Sequence, residues 1–165
     1  MAGYESGINK YDGITVIKTN TCNGNGAQTD NIFKVSGTVR VIELGGICTE
    51  STDATTLSGC SFALYDATPE TVEITDGTAP TDASGLGVGG GLYSNGASAS
   101  VAVAYITSDA CTVTDVVKLE RILNQKPGVD TYIQFLFTGD ATTDVDIQFF
   151  CRYVPLSSGA EVTAV

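Results

Sequence analysis

The stretch Asn31 to Cys48, NIFKVSGTVRVIELGGIC, limits the possible folds more than any other part of the chain. Phe33, Val35, Val39 and Val41 fall on alternate positions, with Lys34, Ser36, Thr38 and Arg40 between them. Such alternation belongs to a strand with one face buried and the other wet. From Val41 onward the pattern changes. Val41, Ile42, Leu44 and Ile47 put apolar groups on both faces, and Gly45-Gly46 permits a bend or bulge. The stretch reads as one long central strand, half exposed at its start and covered on both sides at its end. No helical segment stands ready to cover the second face, so Ile42 and Leu44 call for another sheet or a neighbouring subunit.

The rest of the chain supplies partners of the same kind. Ile14 to Lys18 reads as a strand, and Thr19 to Asp30 as a polar loop with Asn23-Gly24 and Asn25-Gly26 as turn signals. After a polar connection over 49–59, Cys60 to Tyr65 is a strand, and Val72 and Ile74 mark a short one. Residues 76–96 are glycine-dense and read as an extended surface loop. Ser98 to Thr107 alternates again. Residues 111–125 fit a helix face (Val116, Leu119, Glu120, Leu123) and an alternating strand (Val117, Leu119, Arg121, Leu123), and the β-rich surroundings favour the strand. Tyr132 to Thr138 and Asp144 to Val154 read as a hairpin around Gly139 to Thr143. The expected fold is all-β: an antiparallel β-sandwich, jelly-roll-like, over 14–156. An extended N-terminal arm over 1–13 and a C-terminal tail over 157–165 flank it.

With 19 acidic and 8 basic residues, the chain carries a formal charge of −11. That field repels nucleic acid and anionic lipid, so partners of both kinds are disfavoured. Charged residues make up 16% of the chain, against about 25% in an average domain. Gly, Thr, Ser and Ala take their place, as suits a sheet protein that packs against neighbours. No apolar run is long enough for a membrane helix. MAGYESGINK holds neither a basic n-region nor an apolar h-region, which points to cytosolic synthesis. The five cysteines are Cys22, Cys48, Cys60, Cys111 and Cys151. Their odd number leaves at least one unpaired, and the apolar, strand-like settings of Cys48, Cys60 and Cys151 favour buried thiols. Cys48 and Cys60 flank one loop and are close enough in sequence for a bridge, but cytosolic synthesis argues against it.

Histidine and tryptophan are absent. Ser-His and Cys-His dyads, imidazole bases and His-based zinc sites are therefore excluded. The remaining catalytic candidate is the pair Asp144 and Asp146 on one strand face, and a solvated strand edge explains it more simply. Asp140, Asp144 and Asp146 form a weak calcium candidate, as do Asp76 and Asp82, although the EF-hand spacing is missing. No CxxC pair exists, and Gly85 to Gly91 lacks the lysine and helix of a phosphate-binding loop. Lys118, Arg121 and Lys126 form a small basic cluster, read as a solvated face or a contact with an acidic subunit. The expectation is a protein without cofactor and without enzymatic activity.

Two stretches carry a resemblance. IFKVSGTVRVIELGG, of the form F-x-V-x-G-x-V-R, and the closing FFCRYVPLSSGAEVTAV resemble small all-β virion proteins of tailed bacteriophages, the capsid decoration, cement or head-associated proteins. The resemblance covers about a third of the chain, and its motifs are structural. It implies a virion protein assembled in the host cytoplasm, docked on the major capsid protein or other virion subunits as a homo-oligomer, with trimers favoured. The expected interface residues are Tyr4, Ile8 and Tyr11 in the arm, Ile42 and Leu44 in the central strand, and Tyr153, Pro155 and Leu156 leading into an apolar tail. Pro155 also has a plainer reading, as the end of a strand. The alternative function is a receptor- or glycan-binding head or fibre module with the glycine-rich loop as its recognition surface. An extracellular adhesin or pilin-like subunit ranks below both.

Overall fold

The computed structural model describes residues 13–53, 57–66, 72–75, 81–94, 103–106 and 119–165. These residues contain no helix. Their strands are Ile14–Asn23 (β1), Gly26–Ser36 (β2), Thr38–Asp53 (β3), Ser58–Tyr65 (β4), Val72–Glu73 (β5), Gly91–Ser94 (β6), Val103–Ile106 (β7), Arg121–Asn124 (β8), Thr131–Gly139 (β9), Asp144–Pro155 (β10) and Glu161–Ala164 (β11). The first sheet runs β1-β10-β3-β6-β7, with β8 also on β3, and the second runs β11-β2-β9-β4-β5. Every pairing is antiparallel. Inward-facing residues of both sheets share one apolar core, giving a sandwich-like all-β fold.

The stretch expected as one central strand is two strands in opposite sheets. Gly37 separates them at φ +66°, and a Cβ there would lie 2.9 Å from both Ala160 Cβ and Ser157 Oγ. Only glycine fits this corner without strain. Past it, β3 pairs with β10, and the apolar residues on both faces have a simple cause. Tyr153 pairs with Val41 and Arg152 with Glu43, so Ile42 is the extra residue of a β-bulge. The bulge shifts the alternation by one. Val39 and Val41 face the core before it, and Leu44 and Cys48 face the core after it. Ile47 then points outward and is 38% exposed.

Gly45 and Gly46 follow the bulge because two aromatic rings need the space. A Cβ on Gly46 would stand 2.5 Å from Ile147 Cγ2 and 3.0 Å from Phe149 Cδ1, on the core side. On the outer side, a Cβ on Gly45 would stand 2.5 Å from the Leu92 carbonyl oxygen and 2.9 Å from Phe150 Cζ. Phe149 thereby reaches the second sheet, with ring centroids 4.9 Å from Phe135 and 6.1 Å from Phe62. Phe135 completes the cluster, 5.3 Å from Phe62 and 5.6 Å from Phe137.

Several segments depart from the sequence expectation because the chain changes sheet at its turns. Thr19–Asp30 is mostly strand, since β1 and β2 meet at Gly24-Asn25 and enter different sheets. Tyr132–Thr138 and Asp144–Val154 lie in β9 and β10 but form no hairpin, because their loop also crosses between sheets. The glycine-rich segment is partly core: Ala83 and Leu86 are buried, Gly89 N–H donates to the Cys48 carbonyl, and Gly91 opens β6. Residues 161–164, expected in a docking tail, pair with β2, and Ala160 and Val162 are buried. A turn over Ser157–Ala160 returns the chain to the second sheet and accounts for this. Arg121–Asn124 is strand, as favoured, while 111–118 and the 1–12 part of the arm lie outside the described residues.

Replacing Gly46 with valine should lower unfolding free energy by about 3 kcal/mol, the upper range for overpacking. Ile47→Val next to it should change it by under about 0.5 kcal/mol. Urea denaturation of the two variants beside the parent checks this, and equal midpoints would contradict the clearance argument.

Candidate functional site

The bulge at Ile42 and the pleat of β10 decide which side chains face outward from the first sheet. Ile17 pairs with Phe150, Phe150 with Gly45, and Gly45 with Tyr93, placing one row across β1, β10, β3 and β6. Phe150 lies over the bare Gly45 backbone and meets Tyr93 at a centroid distance of 5.9 Å. Ile17 is 54% exposed, and Ile47 lies one outward position along β3. The result is an apolar stripe across the outside of the sheet.

The two ends of this face differ in charge. Towards the end of β1, Thr21 pairs with Asp146 and Asp146 with Glu50, and Asp144 follows one outward position further. Thr21, Glu50, Asp144 and Asp146 line a depression of about 200 Å³. Thr21 Oγ1 donates to Asp146 Oδ1 at 2.5 Å. At the opposite end, Arg152 Nη1 donates to Glu43 Oε1 at 3.2 Å. Arg40 lies beside Val154 and the 66%-exposed Ile122. Its Nε is buried and has no hydrogen-bond partner among the described residues.

The sequence candidates divide accordingly. Asp144 and Asp146 share the acidic depression, but Asp140 does not join them. Its Oδ1 accepts from the backbone N–H groups of Thr142 and Thr143 at 2.8 and 3.1 Å, closing the β9–β10 turn. Asp82 does similar work, accepting from Ser84 N–H, and that bond holds its carboxyl below the usual range. Asp76 lies outside the described residues. Among those described, no group of three His, Cys, Asp or Glu residues is arranged to hold a metal ion. Leu44 and Tyr153 belong to the chain's own core, and Ile42 is buried at the bulge. Pro155 ends β10 in an exposed position, and Leu156 is 49% exposed with its N–H bonded to the Thr38 carbonyl. Tyr4, Ile8 and Tyr11 lie outside the described residues, as does Lys118. Lys126 is paired with Asp66 at 3.6 Å, while Arg121 keeps Nε and Nη2 buried, with no hydrogen-bond partner among the described residues. Ile17, Phe150 and Tyr93 were missed. Their signal was present, since the wet phase of an outer strand face holds two large apolar residues and a tyrosine.

The described cysteines are free and buried. Burial pushes the Cys60 thiol up to about 12 and raises Cys22, Cys48 and Cys151 as well. These thiols pack as small apolar groups, with no bridge between Cys48 and Cys60. Cys111 lies outside the described residues.

The chain matches no family model, no curated protein and no solved structure.

Two outcomes follow from these groups. Unfolded thiols lose their protons near pH 8.5, whereas the buried ones keep theirs, so the native state binds more protons from there upward. The thiol contribution to stability should be constant below about pH 8.5 and fall as pH rises towards 12, by up to about 1.4 kcal/mol per pH unit per buried thiol. Urea midpoints at pH 7.5 and 9.5 measure this, and identical values would contradict it. At the acidic end, like charges face each other across β10 and β3. Glu50→Gln should raise the thermal midpoint at low salt, with the gain fading as salt screens the repulsion. A lower midpoint at every ionic strength would mean that Glu50 is held by an attraction instead.

Proposed function

We propose that the chain is a non-catalytic virion structural protein that decorates or stabilises a phage capsid through subunit–subunit contacts. One observation carries the contact reading: the stripe of Ile17, Phe150, Tyr93 and Ile47 on the outside of the first sheet, with acidic groups at one end and, at the other, Arg40 beside the Arg152–Glu43 ion pair. Exposed apolar rows of this kind mark protein contacts. Their charged ends supply orientation, since the acidic end of one copy attracts the arginine end of the next. A closed ring of copies satisfies both ends, and three-fold closure is the order that the sequence resemblance implies.

The winding of the chain supports a jelly roll. The pairing orders β1-β10-β3-β6 and β2-β9-β4-β5 within the two sheets, with β7 and β11 added at their edges, fit two interleaved Greek keys. Jelly rolls serve as capsid subunits and as lectins, so the fold alone gives an analogy and the function rests on the faces. The virion setting and the capsid partner rest on the strand motifs.

Two linked measurements test this reading. Sedimentation of the parent should give a trimer, and Ile17→Ser with Phe150→Ser should shift it to monomer while circular dichroism stays unchanged. The parent should also co-sediment with capsids, and the double variant should lose most of that binding. A parent that is monomeric and ignores capsids overturns the proposal.

A further inference from the structure

The second sheet has its own outward face, pointing away from the stripe, and its chemistry differs. Here Thr29 pairs with Leu136, Leu136 with Ser61, and Thr138 with Ala27. These small side chains, with Glu73 at the β5 edge, line a groove of about 310 Å³. That volume is at the lower end for small-molecule sites, about 300–1,000 Å³, and suits a mono- or disaccharide. The hydroxyls of Thr29, Ser61 and Thr138 have no hydrogen-bond partner among the described residues, and the Glu73 carboxylate has no ion pair there. Ser61 is 4% exposed and opens into the groove. Thr75 on the same wall is already engaged, its hydroxyl accepting from the Phe62 N–H at 2.8 Å.

We infer that this groove binds a neutral saccharide. Three unengaged hydroxyls, each donor and acceptor, answer a ligand that is itself a ring of hydroxyls. The Leu136 side chain offers an apolar floor for the C–H face of a sugar ring. Charge sets the selection: the groove is lined by one carboxylate and by no Lys or Arg. It therefore favours neutral sugars and rejects uronic, sialic and phosphorylated ones. No Trp exists to stack on the ring, so the affinity is modest, with Kd on the order of 1 mM. The groove and the stripe occupy opposite faces, so a subunit docked through the first sheet presents the second outward. The inference stands on the groove alone and does not need the virion reading.

The test is a nitrogen–proton correlation NMR titration of the full chain with a panel of neutral mono- and disaccharides and with sialyllactose as the anionic comparison. At least one neutral sugar should move amides of β2, β4 and β9 around Thr29, Ser61 and Leu136, and sialyllactose should leave them in place. Thr29→Val keeps the strand shape and removes one hydroxyl, and should weaken binding about ten-fold, the value of one hydrogen bond. Shifts absent for every neutral sugar, shifts centred elsewhere, equal response to sialyllactose, or unchanged affinity in Thr29→Val would each overturn it. Amide positions away from residue 29 verify that the variant is folded.

Discussion

The contact between Phe149 and the rings of Phe62 and Phe135 is the interaction on which the two sheets depend. One ring from β10 must cross the space between layers and meet two from β4 and β9. This is possible because the residue paired with Phe149 is Gly46, which leaves no side chain in the way. Gly45 does the same for Phe150 on the outside. The Gly-Gly dipeptide thus serves both faces of one strand, and the inner core and the outer stripe share a single local cause. Large rings laid over bare backbone offset the loss of side-chain packing that glycine otherwise brings to a strand.

The strand class was legible in the chain because period-two alternation is local. Val145, Ile147, Phe149, Cys151 and Tyr153 are core residues for the reason their spacing gives. What local pattern cannot carry is the identity of the sheet to which each strand goes. Gly37 sits inside an unbroken alternation, so nothing in the apolar spacing marks the corner there. A bulge is equally hidden, and the shift it makes at Ile42 imitates a strand covered on both sides. That imitation leaves Leu44 open to cover by another sheet or by a neighbouring subunit, and the chain's own core takes it. Ala83 and Leu86 illustrate the converse, since glycine density hid two core residues in a segment that looked solvated.

The candidate site was less legible than the fold. Of the apolar residues singled out for contacts, Ile42 and Leu44 depart from the expected alternation and Tyr153, Pro155 and Leu156 lead into the expected tail; Ile42, Leu44 and Tyr153 are buried, and Pro155 ends its strand. The actual outer row comes from the opposite logic, apolar residues that keep the wet phase of their strands. Ile17 and Phe150 look unremarkable singly, and register alone makes them neighbours. The carboxylates were partly legible: Asp144 and Asp146 share a face as their spacing requires, whereas the turn uses the oxygens of Asp140.

The two outward faces are chemically unlike because different strands supply them. On the first sheet, outward positions beside Gly45 accommodate rings, and the row grows apolar. On the second sheet, Thr29, Ser61 and Thr138 line a groove together with Leu136. Water leaves a surface of rings at a gain near 25 cal/mol per Å² of apolar area, so that face favours another protein. A surface of unengaged hydroxyls gains little by losing water unless the incoming group returns the hydrogen bonds. It therefore favours a polyhydroxyl ligand over a protein. On the proposed reading, one sandwich-like body separates contact within its assembly from recognition of something outside it, because the rings lie on the outer face of β1, β10, β3 and β6 and the hydroxyls on that of β2, β9 and β4.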